Sequence, residues 1–249
     1  MLRYCRVTTW RIKFLMMLSM LPTDLARNIS EVSRRIRAAE IAAGRHTNSV
    51  SLLAVSKTKS ADLIRIAHQH GQTAFGENYA QEMTEKAQSL ADLSLEWHFI
   101  GPIQSNKTAS IAAHCDWVHS VDRLKIARRL GEQRPPGKPP LNILIQVNIS
   151  GESSKSGVAP QALHDLAHSI SALPGISLRG LMAIPAPASP KENPRQAFSA
   201  LRELRDSLAV ELPGFDTLSM GMSADLEDAI AEGATLVRIG TDIFGARYN

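Results

Sequence analysis

Residues 52–56 read LLAVS and are followed at once by the polar run KTKS, residues 57–60. A second stretch of the same kind, ILIQV, occupies residues 143–147. Both stretches are apolar at consecutive positions, which is typical of strands buried on both faces of a parallel sheet. These two stretches therefore favour an α/β fold with a parallel sheet.

Outward from residue 52, short apolar runs alternate with helical patterns along the whole chain. Strands are predicted over residues 52–56, 73–76, 96–100, 117–120, 141–148, 178–184, 217–220 and 235–239. Helices are predicted between them, over residues 60–70, 78–91, 105–114, 122–131, 160–172, 192–211 and 224–232, and before them over residues 24–43. Eight such repeats predict a single (β/α)₈ barrel with an extra N-terminal helix. An open doubly wound sheet is the alternative, but it usually carries a glycine-rich turn after its first strand, and residues 56–60 contain no glycine.

The composition excludes several classes of protein. The chain has 249 residues, of which 44% are hydrophobic and 21% charged, so a disordered, collagen-like or coiled-coil protein is excluded. The two cysteines, Cys5 and Cys115, are too few for a disulfide scaffold and have no metal-binding spacing. A reduced, cytoplasmic setting is the expectation.

Residues 1–20, MLRYCRVTTWRIKFLMMLSM, account for the net charge of +4. The rest of the chain carries 24 basic and 24 acidic residues, so no nucleic-acid surface is predicted. A basic stretch before an apolar run resembles a signal peptide, but the run is short and no small-residue cleavage site follows it. The run is also too short to span a bilayer. We interpret residues 1–20 as a flexible extension or a start assigned too early, and residues 21–249 as one barrel domain.

Polar residues at the ends of the last two strands predict a phosphate site. The loops after strands seven and eight are the recurrent phosphate site of this fold, and here they contain Ser219, Gly221 and Ser223, then Gly240 and Thr241. Glycines let backbone N–H groups approach a phosphate, and hydroxyl groups add donors. A helix predicted to begin near Ser223 would direct its N-terminus to the same place.

An alternative interpretation of the same loop stays open. Ser223 is also a suitable helix N-cap, and acids in the first turn complement the helix dipole without any ligand. Asp225, Glu227 and Asp228 would repel a phosphate unless they face outward.

Two cationic residues complete the candidate site. Lys57 ends strand one, which lies beside strand eight when the barrel closes, and an amine next to a phosphate site suggests a Schiff base with pyridoxal 5′-phosphate (PLP). The alternative is a solvated lysine. Arg238 lies within the apolar strand LVRIG, so it needs a partner, which is either an acid of a neighbouring strand or a ligand ring nitrogen.

These residues occur in longer segments that resemble the pyridoxal phosphate homeostasis protein family, which is related to the N-terminal barrel of alanine racemase. The resemblance covers residues 24–248. The matching segments are LLAVSKTKS (52–60), FGENYAQE (75–82), EWHFIGPIQSNK (96–107), VHSVDR (118–123), QVNISGESSKSG (146–157), LRGLMAIPAP (178–187), LSMGMSADLEDAI (218–230) and VRIGTDIFGAR (237–247).

The resemblance implies a PLP-binding barrel and a role for individual residues. Lys57 matches the lysine that forms the Schiff base, Asn78 an asparagine near the cofactor, and Arg238 the arginine that faces the pyridine nitrogen. The phosphate contacts and their neighbours are matched by Ser219, Met222, Ser223, Gly240 and Thr241.

An arginine at the ring nitrogen disfavours protonation of the ring, because its guanidinium stays charged and only donates hydrogen bonds. Racemases of this fold add a second base, a tyrosine from a separate C-terminal domain, and Tyr4, Tyr79 and Tyr248 offer no obvious replacement.

We therefore expect a carrier or buffer in intracellular PLP homeostasis, with apo PLP-dependent enzymes as candidate recipients, rather than an enzyme. A weak PLP-dependent racemase or lyase is the alternative, and a barrel that binds another phosphorylated ligand without a covalent bond is a third class. A monomer without nucleic-acid or membrane partners is expected.

Several other polar residues have possible roles that the sequence distinguishes. His164 and His168 form HDLAH, which is similar to the zinc motif H-E-x-x-H, but aspartate replaces glutamate and no third ligand is evident. We interpret them as surface histidines and predict no metal site. His98 and His119 lie in predicted strands; one of them is expected to be a hydrogen-bonded core residue, and either could approach the barrel mouth. Lysines 107 and 155 are either ligand contacts or solvated side chains.

Overall fold

Parallel pairing of the first strand with both the second and the eighth closes the sheet into a barrel. The strands follow one another around it in chain order. The computed structural model describes residues 22–152, 156–185 and 195–246. The predicted (β/α)₈ barrel is confirmed, whereas residues 1–20 and residue 155 lie outside the described residues.

Each predicted strand is present, with bounds within one or two residues of the prediction. The strands are β1 (Ser51–Val55), β2 (Ala74–Glu77), β3 (Glu96–Phe99), β4 (Trp117–Val121), β5 (Leu141–Gln146), β6 (Ile176–Met182), β7 (Thr217–Ser219) and β8 (Leu236–Ile239). In β5 the consecutive residues Ile143, Leu144 and Ile145 are all fully buried. Both faces of the strand are thus covered, by the barrel interior on one side and by helices on the other.

The helices alternate with these strands. They are α1 (Pro22–Ala42), α2 (Ala61–Gln69), α3 (Ala80–Ser89), α4 (Thr108–His114), α5 (Leu124–Glu132), α6 (Leu163–Ser171), α7 (Gln196–Ala209), α8 (Leu226–Ala231) and α9 (Thr241–Phe244). Single 3₁₀ turns, Ser105–Lys107 and Pro160–Ala162, precede α4 and α6. Within the ranges that the structure describes, no helix has both the length and the apolar character needed to span a bilayer.

Two details of the helices differ from the prediction. The helix after β7 begins at Leu226 rather than near Ser223, because the Asp225 carboxylate accepts a hydrogen bond from Met222 N (2.6 Å) and holds the preceding residues in a turn. Helix α9 was not predicted, since four residues are too few to show helical periodicity.

Helix α1 packs on the outside of the barrel against α8 and α9. Its apolar stripe, with Leu25, Ile29, Val32 and Ile36 at helical spacing, is buried. This packing places the polar edge of α1 beside the loops that follow β7 and β8.

Candidate functional site

A cavity of about 290 Å³ lies at the carboxyl ends of the strands, which is the functional face of this fold. Ligand pockets begin at about 300 Å³, so its size suits one small molecule. Of the eight residues predicted for the site, the cavity is lined by all but one, namely Lys57, Asn78, Met222, Ser223, Arg238, Gly240 and Thr241. The exception, Ser219, is fully buried and accepts a hydrogen bond from Arg238. The fold therefore brings together residues that are up to about 180 positions apart.

The turn that carries Lys57 has an unusual backbone conformation. Thr58 has a φ of 65°, which is rare for a β-branched residue. Its amide donates to Glu82 Oε1 (2.6 Å), and the amide of Ser56 donates to the carbonyl oxygen of Gly76 (3.0 Å). These bonds hold the turn in place and set the direction in which residue 57 leaves the barrel.

A buried ion pair lies directly beneath this turn. Lys86 donates to Glu77 Oε1 (2.7 Å), to Glu82 Oε1 (2.7 Å) and to the carbonyl oxygen of Ser56 (2.8 Å). The Glu77 side chain is fully buried and that of Lys86 is 8% exposed. Burial raises the pKa of Glu77, while the neighbouring Lys86 ammonium opposes that rise.

Lys86 is not among the residues predicted for the site, although the sequence contains a signal for it. Met83 and Leu90 are buried on the inner face of α3 and its C-terminus, and Lys86 stands three residues after one and four before the other. A lysine within an apolar stripe at helical spacing indicates a buried, paired amine.

Arg238 is buried and hydrogen-bonded to neutral groups. It donates from Nη1 to Ser219 Oγ (2.8 Å) and from Nη2 to the carbonyl oxygen of Ala183 (2.9 Å). No carboxylate of the described chain forms an ion pair with it, so the predicted alternative of a structural salt bridge is not what the structure shows. Burial lowers the pKa of Arg238 to about 10, which leaves the guanidinium charged at neutral pH.

A chain of hydrogen bonds extends from Arg238 across the barrel interior. Ser219 Oγ lies 2.9 Å from His119 Nδ1, His119 Nε2 lies 2.9 Å from His98 Nδ1, and His98 Nε2 lies 2.6 Å from Glu96 Oε1. Both histidines are buried, and burial holds the pKa of His119 well below its usual range. The expectation of a hydrogen-bonded core histidine is met by both of them.

The two ends of this chain fix its direction. Arginine only donates and an ionised carboxylate only accepts, so each of the three groups between them accepts one hydrogen bond and donates one. An arrangement in which each ring accepts at Nδ1 and donates from Nε2 satisfies every contact of the chain, by inference from the partners. The arrangement directs acceptors toward Arg238 and keeps its guanidinium in one orientation.

Helix α1 contributes a residue that organises the loops after β7 and β8. Arg35 donates to Glu227 Oε1 (2.9 Å) in α8, to Asp242 Oδ2 (2.7 Å) in α9 and to the carbonyl oxygen of Ser223 (3.0 Å). One guanidinium thus connects both loops. No local pattern in the sequence indicates this contact, because Arg35 is one of several arginines on the polar face of α1.

The acids that would repel a phosphate have other partners. Glu227 is paired with Arg35, and Asp228 with Arg195 (2.7 Å). Asp225 accepts the backbone hydrogen bond from Met222 that forms the turn. Two of the three carboxylates are therefore neutralised by arginines.

Asn78 presents a buried amide to the cavity. Its Oδ1 atom is buried and has no hydrogen-bond partner within the described part of the protein. The next loop packs tightly against it, since a Cβ on Gly101 would collide with the carbonyl oxygen of Asn78. A buried polar group without a protein partner at a cavity is a position where a ligand can complete the hydrogen bonding.

Of the two further lysines named from the sequence, only Lys107 lies within the described ranges. Lys107 is exposed at the end of a 3₁₀ turn and is not among the lining residues. Residue 155 lies outside the described ranges. The structure adds Lys59, which lines the cavity and donates to the carbonyl oxygen of Phe244 (2.9 Å).

The barrel and this cavity define a protein of the alanine racemase N-terminal class. Residues 25–248 match the family described as "Alanine racemase, N-terminal domain", and the chain belongs to that family. Within it, the chain is a member of the pyridoxal phosphate homeostasis protein family.

Its relatives carry that family name. The chain is 61% identical over 225 residues to the pyridoxal phosphate homeostasis protein of Pseudomonas aeruginosa, with 90% of this chain and 96% of the relative covered. Identity to the protein of the same name from Escherichia coli is 52%, covering 90% and 97%. Among solved structures, PipY of Synechococcus elongatus with PLP bound is 33% identical, with a TM-score of 0.77 and coverage of 89% and 100%.

Proposed function

We propose that this protein binds PLP in the cavity as a Schiff base on Lys57 and serves as a carrier or buffer in PLP homeostasis. One observation carries the proposal. A single small cavity holds the amine at the end of β1, the buried guanidinium of Arg238 and the two loops after β7 and β8. Relatives named pyridoxal phosphate homeostasis protein and the PLP-bound PipY structure support it.

The residues present fit the polar groups of PLP. The loops with Ser223, Gly240 and Thr241 suit the phosphate, in the position where this fold commonly binds one. Arg238 suits the ring nitrogen, because its guanidinium has five N–H donors and the protein engages one at each of two nitrogen atoms. The buried amide of Asn78 suits a polar ring substituent.

The covalent link requires only the amine and the aldehyde. A bond forms between Lys57 Nζ and the aldehyde carbon, the carbonyl oxygen leaves as water, and hydrolysis reverses the reaction. Lys59 is the competing amine, but it donates to the carbonyl oxygens of Phe244, Gly245 and Ala246 (2.9, 3.4 and 3.3 Å). These bonds commit Lys59 to tying the turn after α9 to the loop after β1.

Bound PLP supplies an electron-withdrawing ring, and the surroundings in this protein weaken that capacity. Arg238 can only donate a hydrogen bond to the ring nitrogen and so favours its unprotonated form. The described residues that line the cavity include no tyrosine, histidine or carboxylate side chain that could move a proton at the substrate carbon. Binding and release are therefore favoured over turnover.

From the sequence, we also propose a cytoplasmic location, transfer of PLP to apo-enzymes and a monomeric state.

Trapping with hydride tests the proposal. After incubation with PLP and reduction with borohydride, we expect one pyridoxyl label per chain, on the peptide that contains Lys57, both in the wild type and in Lys59→Ala. Peptide mapping by mass spectrometry locates the label. A label on Lys59, or no label, would overturn the proposal. Net racemisation or product release from added amino acids would support the enzyme alternative instead.

The role of Arg35 gives a second prediction. Arg35→Ala releases α8, α9 and the carbonyl oxygen of Ser223 from one another, so we expect the Kd for PLP to rise about tenfold, equivalent to about 1.4 kcal/mol. Affinity for pyridoxal, which has no phosphate, should change less. Arg34→Ala is the matched control, because in the described part of the chain Arg34 pairs with Glu31 of its own helix (2.6 Å) and with neither phosphate loop. Equal losses for PLP and pyridoxal in Arg35→Ala would contradict a role in the phosphate loops.

A further inference from the structure

Two histidines and a glutamate meet on the outer surface, away from the cavity. His164 and His168 lie four residues apart on α6, so both side chains project from the same face of the helix. Glu211 follows the end of α7 and is 43 positions from His168 in the sequence. The sequence offered no third ligand beside the two histidines. Packing of α6 beside the end of α7 supplies one.

The distances within this cluster suit a small metal ion. Glu211 Oε2 lies 3.3 Å from His164 Nε2 and 3.0 Å from His168 Nε2, and all three ligand atoms lie within 4.8 Å of one another. Zinc–ligand bonds are about 2.0–2.1 Å, so two ligands of a tetrahedral zinc ion are about 3.3 Å apart. The two distances from the glutamate to the histidines are close to that value.

The chemistry of the three ligands agrees with the geometry. Zinc sites commonly use two histidines and one glutamate and keep a position for water. The side chains are 57%, 40% and 46% exposed, which leaves room for a water ligand.

A second carboxylate stands behind one of the rings. Asp165 Oδ1 lies 3.7 Å from His164 Nδ1, the ring nitrogen that faces away from Glu211. Histidines that bind zinc usually donate their other N–H group to a carboxylate, carbonyl or water, which fixes the tautomer. The 3.7 Å separation is longer than a hydrogen bond and the Asp165 side chain is 98% exposed, so Asp165 is not counted among the contacts of the proposed site.

We propose that His164, His168 and Glu211 form a binding site for Zn²⁺ or a similar divalent ion that prefers imidazole ligands. The ion would link α6 to the end of α7. The site shares no residue with the PLP cavity, so the inference is independent of the proposed function.

Metal titration of the full-length protein tests this proposal. The protein is treated with a chelator, dialysed without PLP and titrated with ZnSO₄ by calorimetry, and Co²⁺ then serves as a spectroscopic probe of tetrahedral geometry. We expect one equivalent to bind. We expect affinity for that equivalent to fall by about tenfold or more in His168→Ala and in Glu211→Gln, since each removes one of three ligands.

The controls separate this site from other metal-binding groups. His46→Ala removes an exposed histidine outside the cluster and should leave the titration unchanged. Hydride trapping of PLP should also be unchanged in all three variants, which shows that they are folded. Equal Zn²⁺ affinity in the wild type, His168→Ala and Glu211→Gln would overturn the proposal, as would the absence of binding to the wild type.

Discussion

Replacing Lys57 with alanine is expected to abolish hydride-stable incorporation of PLP, because the variant lacks the amine that is proposed to bond with the aldehyde carbon. The remaining contacts at Ser223, Gly240, Thr241 and Arg238 stay in place, so reversible binding of PLP should persist at lower affinity. Mass spectrometry after borohydride reduction measures the label, and dialysis of unreduced samples measures the reversible fraction.

The matched variants make this result specific. Lys57→Arg keeps the positive charge but supplies no reactive amine, so it should resemble Lys57→Ala in the trapping experiment. Lys59→Ala removes the other lysine that lines the cavity and should keep the label. Full labelling of Lys57→Ala would show that another amine bonds with PLP and would contradict the assignment of Lys57.

Removing the buried amine beneath the Lys57 turn should have a large effect on stability. Lys86→Met leaves the fully buried Glu77 carboxylate without its cation, and breaking a buried pair in this way costs about 3–5 kcal/mol of unfolding free energy. For a protein of this size that corresponds to a fall in Tm of about 6–20 °C. Thermal or urea unfolding measures the loss. Lys125→Met, which alters an exposed lysine on α5, is the control and should change stability little.

The pH dependence of Lys86→Met provides a second measurement. The pKa of Glu77 is raised by burial, and loss of the Lys86 ammonium removes the main influence that opposes the rise. A carboxyl whose pKa is higher in the folded than in the unfolded state binds its proton more tightly in the folded state, so the free energy of unfolding increases as the pH falls through that range. The deficit of Lys86→Met should therefore shrink as the pH is lowered. A deficit that grew on acidification would contradict this account of the pair.

Partial rescue distinguishes the ion pair from packing. In Lys86→Met combined with Glu77→Gln, no buried charge is left, so part of the lost stability should return. The turn of Ser56, Lys57 and Thr58 also depends on Lys86, through the bond to the carbonyl oxygen of Ser56. Slower hydride trapping on Lys57 in folded Lys86→Met would agree with that contact.

The fold was predictable because each barrel strand has its own local signal. Runs such as LLAVS and ILIQV predict buried parallel strands without any knowledge of their neighbours. Candidate site residues could be predicted for a related reason, since the carboxyl ends of all strands meet on one face. A residue that follows a predicted strand can therefore be placed at the functional face of the barrel from the sequence alone.

The residues that sequence analysis missed are those whose partners lie far away in the chain. Arg35 contacts residues about 190 to 207 positions away in the chain. The neighbouring sequence does not distinguish it from Arg34. Glu211 is an acid just after the end of a helix, and only the packing of α6 beside it gives it two histidine neighbours. The helix after β7 began later than predicted because Asp225 forms a turn, which the periodicity of apolar residues does not report.

The buried histidines place a restriction on how this barrel can change over time. Replacing either His98 or His119 with an apolar residue would leave the other imidazole with a ring nitrogen that has no hydrogen-bond partner. In the buried interior, an unpaired polar group lowers stability. Substitutions at these two positions are therefore coupled, because losing one histidine removes the hydrogen-bond partner of the other. Arg238 is connected to this pair through Ser219, so the two histidines also help to hold the orientation of its guanidinium.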